Sequence, residues 1–298
     1  APFSVLCALF SLTHARASLE QLVQLEQFDL NATAQQFHTL GNHCISRLSR
    51  TFVCEKLAIP TTTSTRPPSA SLFTRLMRGC SSTPSTTDLP PTAYYSHDLS
   101  PRWVLIVLDT TELSGHANHP PDSEPARESA AYLAANPLSE KNPHMIPWNG
   151  GITKRQMAWL KAEIRRAERR GKLVLVACHH PIHPDSARKS HLAWNYREIL
   201  KVLRKSSNVR LVLSGHDHLG GGCRVTARRG KTEQVYVTVP AILEAGEHEN
   251  EYLVVDVDEL ERLTGGGKGN RTAVAADAAG FFIGWGGPKS ERIARQVF

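Results

Sequence analysis

The chemistry in this chain is concentrated in three short histidine strings. Leu213-Ser214-Gly215-His216-Asp217-His218 carries two imidazoles one residue apart on a turn that glycine lets bend sharply. Gly41-Asn42-His43 lies early in the chain, and Cys178-His179-His180-Pro181 follows the apolar run from Leu173 to Ala177. Imidazole nitrogens and an asparagine carbonyl suit divalent Mn, Fe or Zn. The step between His216 and His218 turns their side chains in different directions, so they can serve two adjacent ions. His179 can join them from a neighbouring strand end, and Asn42 can supply an amide oxygen. His43 then stands beside the metals, placed to protonate a leaving group or to steady charge building on phosphate. A metal pair lowers the pKa of a bridging water and clamps a phosphate for in-line attack. One histidine alone reads as a structural residue; the whole set implies a two-metal hydrolase of phosphate esters or anhydrides.

Neighbouring residues carry weaker signals. His180 is read as pointing to the opposite face and packing there. His183, within Pro181-Ile182-His183-Pro184, reads either as approaching substrate or as a turn residue. Asp109, followed by Thr110, Thr111 and Glu112, is either a support behind a metal ligand or a strand cap.

Strands and helices must position these groups. Apolar runs predict strands at Trp103–Leu108, Leu173–Cys178 and Val209–Leu213, with later strands at Val235–Val239 and Tyr252–Val257, the last two as an antiparallel pair. A short strand at Phe37–Leu40 leads into the Gly41-Asn42-His43 turn. Ser18 with Gln21 opens a helix whose apolar residues run to Phe28. Thr153 caps another, with Gln156 as its box partner and Gly171 as its end, and Tyr196–Arg204 is a third. Residues 116–145 read as a long loop with a short helix. Strands alternating with helices describe an α/β sandwich, in which ligands gather at the carboxyl ends of the strands. All three histidine strings fall at such ends.

The 298 residues, 41% hydrophobic and 21% charged, are ordinary globular composition and suffice for a large α/β core. A formal charge of +7 comes partly from Arg165, Arg166, Arg169 and Arg170 and from Arg228, Arg229 and Lys231. It reads as a solvated helix face and a basic loop, or as a field attracting phosphate-rich substrates. No aromatic residues interleave with these clusters, which speaks against nucleic acid. The six cysteines form no CxxC pair and fit a reducing compartment, so the expected location is cytoplasmic, with secretion as the alternative. No apolar run approaches the roughly 18 residues of a membrane span. Residues 3–12 are mostly apolar, but no basic region precedes them as a secretory signal requires. The expected organisation is an atypical segment at 1–17, a domain at 18–260 with a Ser/Thr/Pro-rich insertion at 61–92, and a loosely ordered Gly/Ala-rich tail at 261–298.

The strings Gly41-Asn42-His43, Cys178-His179-His180-Pro181 and Gly215-His216-Asp217-His218 resemble the later motifs of the calcineurin-like metallophosphoesterases. A narrower resemblance runs in order through Leu108-Asp109, Leu113-Ser114-Gly115, Trp148-Asn149-Gly150-Gly151, Gln156 with Trp159-Leu160, His179 to Pro184, Leu192-Ala193-Trp194-Asn195-Tyr196, Gly215 to His218 with Gly220-Gly221, and Ile242 with Glu244. This series is similar to the manganese-dependent ADP-ribose/CDP-alcohol diphosphatases. The resemblance implies a four-layer α/β/β/α metallophosphoesterase sandwich, two divalent ions, manganese by analogy, and hydrolysis of small nucleotide diphosphates such as ADP-ribose or CDP-choline. It implies that Asn42, His179 and His216 bind one metal, His218 the other, and that His43 is the catalytic residue on the phosphate side. Substrate-binding residues are not implied.

The sequence departs from that pattern in two places. The family has an aspartate-containing first strand and a Gly-Asp turn whose aspartate bridges the metals; neither occurs before Gly41. Cys44 stands where an acidic residue usually follows the Gly-Asn-His string. The expectation is therefore an enzyme chain lacking its N-terminal strand or strands, nearly inactive as written. The alternative is a non-catalytic subunit or binding module that has lost the bridging carboxylate. The retained His43, His179, His216 and His218 favour the first.

Overall fold

The structure is a computed structural model that describes residues 4–7, 37–46, 48–60, 92–227, 232–240, 252–256 and 282–286. Its described strands are β1 (Ser4–Cys7), β2 (Tyr95–Asp98), β3 (Trp103–Val107), β4 (Leu113–Ser114), β5 (Gly150–Gly151), β6 (Leu173–Ala177), β7 (Val209–Ser214), β8 (Gly221–Thr226), β9 (Glu233–Thr238), β10 (Tyr252–Asp256) and β11 (Phe282–Gly286). The described helices are α1 (Asn42–Ile45), α2 (Arg50–Lys56), α3 (Glu124–Ala135), α4 (Lys154–Arg169) and α5 (Tyr196–Leu203).

The continuous apolar runs of β3, β6 and β7 suit strands covered on both faces. They lie centrally in a six-stranded sheet of order β2-β3-β6-β7-β9-β8. β3, β6, β7 and β9 run parallel, and β2 and β8 close the edges antiparallel. The parallel pairing brings the carboxyl ends of β3, β6 and β7 to one rim. Asp109-Thr110, Cys178 to His180 and Gly215 to His218 all leave the sheet there.

Alternation along these strands splits the core in two. Leu105, Val107, Leu175, Ala177, Leu211 and Leu213 pack with Cys44 and Ile45 of α1 and Val53 and Cys54 of α2. Val104, Ile106, Val174, Val176 and Val212 pack with Leu160, Ile164 and Ala167 of α4 and Ile199 and Leu203 of α5. A second sheet, β1-β10-β11, is antiparallel throughout. The result is the expected mixed α/β class. Among the described residues, no helix is long and apolar enough to cross a membrane.

Several elements differ from their sequence reading. Phe37–Leu40 is not a strand. The Tyr95 hydroxyl accepts from the His38 N–H at 2.9 Å and donates to the His38 carbonyl at 3.0 Å, so a side chain takes the place of a ladder. The late strands β9 and β10 do not pair: β9 joins β7 and β8, while β10 lies between β1 and β11. The segment read as a loose tail thus supplies β11, whose Phe-Ile-Gly-Trp-Gly run holds a five-residue register with β10. Thr153 caps α4 as expected, its hydroxyl accepting from Gln156 N. Gln156 does not return the bond. Its amide instead brackets the Asp109 backbone, accepting from the N–H at 2.9 Å and donating to the carbonyl at 3.0 Å. The Thr153 N–H goes to Glu112. The helix read at Ser18 and residues 61–91 of the Ser/Thr/Pro-rich insertion lie outside the described residues.

Beside the rim, Asp109 is fully buried and ion-paired to buried Arg50, while its Oδ1 accepts from Thr111 N and Oγ1. Asp109 is thus a cap for its own turn, tied to α2 by an ion pair. Gly150 holds the other side. A Cβ there would lie 2.4 Å from the Thr110 carbonyl oxygen and 2.6 Å from that of Leu113. Both are backbone atoms and cannot rotate away. Gly150→Ala should therefore lower unfolding stability by about 3 kcal/mol, measured by urea denaturation; a loss within the roughly 0.5 kcal/mol of an ordinary surface change would contradict this packing.

Candidate metal centre

β6 and β7 continue their pairing past the sheet, with Cys178 N–H on the Leu213 carbonyl and Gly215 N–H on the His179 carbonyl, each at 3.0 Å. This sets His179 beside the Gly215–His218 turn. His216 adopts φ +65°, the left-handed region that non-glycine residues rarely occupy. Such strain persists only where neighbouring contacts enforce it. On the other side, Gly41 opens the α1 turn. A Cβ there would be 2.9 Å from His179 Cε1, so glycine leaves the room that the His179 ring occupies.

Three donor atoms converge at this point. His179 Nε2 is 2.8 Å from Asn42 Oδ1 and 3.2 Å from His216 Nδ1. His180 completes a close group with them: ligand nitrogens of His179, His180 and His216 all lie within 4.8 Å of one another. The ring centroid of His180 is 4.4 Å from that of His216. The expectation that His180 packs on the opposite face is therefore wrong. Thr110 turns it inward, its hydroxyl taking the His180 backbone N–H and meeting Nδ1, each at 3.0 Å. Its Nε2 is buried without a well-formed hydrogen bond. A buried polar atom left so is the kind that an ion satisfies.

Asn149, absent from the sequence-derived site residues, controls His216. His216 Nε2 meets Asn149 Oδ1 at 2.7 Å. The Asn149 amide nitrogen donates to the carbonyls of His144 at 2.8 Å and Ser190 at 2.7 Å, which fixes the amide so that oxygen faces the imidazole. His216 must then donate from Nε2 and keep its Nδ1 lone pair for the cluster. Its signal in the sequence is the Trp148-Asn149-Gly150-Gly151 string, which by itself carries no role for Asn149.

Burial, followed by the neighbouring imidazoles, holds His179 and His216 well below the usual histidine pKa. Burial pushes His180 down to about 4. All three are neutral near pH 7, the state in which an imidazole binds metal. His43 and His218 are half-buried at the rim, close enough for their charge to bear on His179. His183 takes the turn role: its carbonyl accepts from Ser186 N and Oγ, and its Nδ1 from Asp185 N.

The donors present fit one divalent ion held by Asn42, His179 and His216, with His180 adjacent. Among the described residues no carboxylate belongs to the group. Asp109 is engaged by Arg50, and Asp217 by Arg188. Cys44 does not compensate: it is 5% exposed within the core, and burial raises its thiol pKa.

A mixed α/β sheet with histidines from adjacent strand ends around an asparagine turn defines a metallophosphoesterase. Residues 13–220 match the calcineurin-like phosphoesterase family, and the chain belongs to it. Among its relatives is a protein of Oryza sativa subsp. japonica named manganese-dependent ADP-ribose/CDP-alcohol diphosphatase. It is 28% identical over 210 residues, covering 67% of this chain and 56% of the relative. The Homo sapiens protein of the same name is 30% identical over 144 residues, 45% of this chain and 42% of its own length. The chain thus spans about half the length of the curated relatives it matches. The crystal structure of a dimetal phosphatase from Danio rerio has the same fold, with a TM-score of 0.61, 23% identity, and coverage of 81% of this chain and 72% of that one.

If Asn149 sets the His216 tautomer, Asn149→Leu should weaken Mn²⁺ binding about 10- to 100-fold with the fold retained. Electron paramagnetic resonance of free Mn²⁺ measures this, with circular dichroism to check the fold. Unchanged affinity would remove Asn149 from the site.

Proposed function

We propose that this protein is a metal-dependent hydrolase of nucleotide diphosphate linkages, with ADP-ribose and CDP-alcohols as the substrate class and manganese as the ion. The observation that carries the reading is the convergence of Asn42 Oδ1, from the first turn of α1, with His179 Nε2 and His216 Nδ1, from adjacent strand ends, within 3.2 Å steps. The names of the curated relatives support the substrate class.

Asn42, His179 and His216 would hold the ion, and His218 would serve a second one. When bound, such ions supply an activated water and neutralise charge on phosphate. The chain's own residues do the rest. Asn149 and Thr110 fix the orientations of His216 and His180 before substrate arrives. His43, in the first turn of α1 next to Asn42, would hand a proton to the departing phosphate oxygen. The buried rim excludes water from the imidazoles and keeps them unprotonated. Free cysteines at positions 44, 54, 178 and 223 support a reducing, cytoplasmic setting.

One observation favours a binding module instead. The described donor set is wholly neutral, so it provides no negative charge to balance a dication. Incubation of the 298-residue chain with Mn²⁺ and ADP-ribose separates the readings, followed by chromatography of released AMP. Slow, manganese-dependent AMP release is expected, with at least about a 100-fold loss in His179→Ala. Saturable ADP-ribose binding with no turnover would establish the module instead.

A further inference from the structure

Asp217 is buried between two site histidines yet binds no part of the donor cluster. Both of its oxygens face Arg188. Arg188 N–H donates to Oδ2 at 2.7 Å, while Nε and Nη2 donate to Oδ1 at 2.9 and 2.7 Å. The carboxylate therefore grips one edge of the guanidinium and fixes its direction. The Arg188 side chain remains 48% exposed, against 1% for Asp217. A guanidinium has five N–H donors in a planar fork, so the gripped edge leaves others facing outward.

The place of the guanidinium matters. Arg188 Nη2 also donates to His191 Nε2 at 3.2 Å, and the His191 ring lies 5.4 Å from that of His216. Arg188 is thus one imidazole removed from the donor cluster. The same segment is pinned to the site through Ser190, whose carbonyl takes the Asn149 amide. An arginine held by a buried carboxylate, half exposed beside a phosphate-hydrolysing centre, suits two oxygens of a phosphate with paired N–H donors.

We propose that Arg188, aimed by Asp217, binds the second phosphate of a nucleoside diphosphate, the first being the one that an ion held by the donor cluster would take. This rests on the diphosphatase reading and deepens it. It gives the Asp of the Gly-His-Asp-His string a positioning role and makes Arg188 the residue that separates diphosphates from monophosphates. A clamp serving only to tie the Asp185–Trp194 segment to the Gly215–His218 turn would not make that distinction.

The test is calorimetric titration of the 298-residue chain with ADP and with AMP at one fixed free Mn²⁺ concentration. The unsubstituted protein should bind ADP at least about tenfold more tightly than AMP, the worth of a charge-assisted contact. Arg188→Gln should bring that ratio close to one while changing AMP affinity less than about twofold, and Arg188→Lys should keep part of it because it retains charge without the fork. An unchanged ratio in Arg188→Gln, or equal weakening of both ligands, would leave Arg188 a structural clamp and overturn the proposal while the diphosphatase reading stood. ADP binding no tighter than AMP in the unsubstituted protein would overturn it as well. If neither nucleotide binds, the diphosphatase reading fails and takes the proposal with it. Should Arg188→Gln fail to fold, Arg188→Lys decides: a ratio equal to that of the unsubstituted protein overturns the proposal.

Discussion

The hydrogen bond between His216 Nε2 and Asn149 Oδ1 settles what the rest of the site can be. An imidazole in a pocket with other imidazoles has two tautomers, and only one leaves a free Nδ1 lone pair facing His179. Asn149 chooses it, and can do so because its own amide nitrogen is committed to His144 and Ser190. The bond joins the β7 turn, the turn before β5 and the Asp185–Trp194 segment. His216 makes this bond from a left-handed backbone conformation.

Around this bond the fold works as a frame with two apolar faces. The parallel β6 and β7 bring His179 and His216 to adjacent strand ends, and β3 adds Thr110, which turns His180 inward. α1 and α2 cover one face, and α4 and α5 the other. The buried Arg50–Asp109 pair ties α2 to the end of β3. Leaving either partner alone would strand a buried charge, so the pair constrains geometry more than it adds stability. Both buried aspartates at the rim are thereby committed, Asp109 to Arg50 and Asp217 to Arg188. The metal donors that remain among the described residues are neutral.

Much of this was legible from residue types. The apolar runs of β3, β6, β7 and β9 are buried on both faces and read correctly for that reason. The four-residue β2 and the Gly-Gly-Cys-Arg-Val-Thr of β8 are edge strands with mixed polarity, so periodicity said little about them. The Phe37–Leu40 segment looked like a short strand leading into the Gly41-Asn42-His43 turn. Its backbone is satisfied by a tyrosine hydroxyl from 57 positions away, which no local pattern encodes. The Gly-Asn-His and Gly-His-Asp-His strings pointed to the cluster by spacing alone. His180 did not, since alternation along an extended chain sends it away from His179; the contact with Thr110 overrides that rule. Asn149 and Arg188 act through partners 67 and 29 positions distant and emerge only in three dimensions.

Everything proposed for this chain requires that the Asn42, His179 and His216 donors form a metal site. The direct measurement is an anomalous difference map at the manganese edge from crystals of the 298-residue chain grown with Mn²⁺. The expected result is a peak bonded to Asn42 Oδ1, His179 Nε2 and His216 Nδ1, with His216 Nε2 still on Asn149. A map with manganese bound elsewhere and this cluster empty would contradict it.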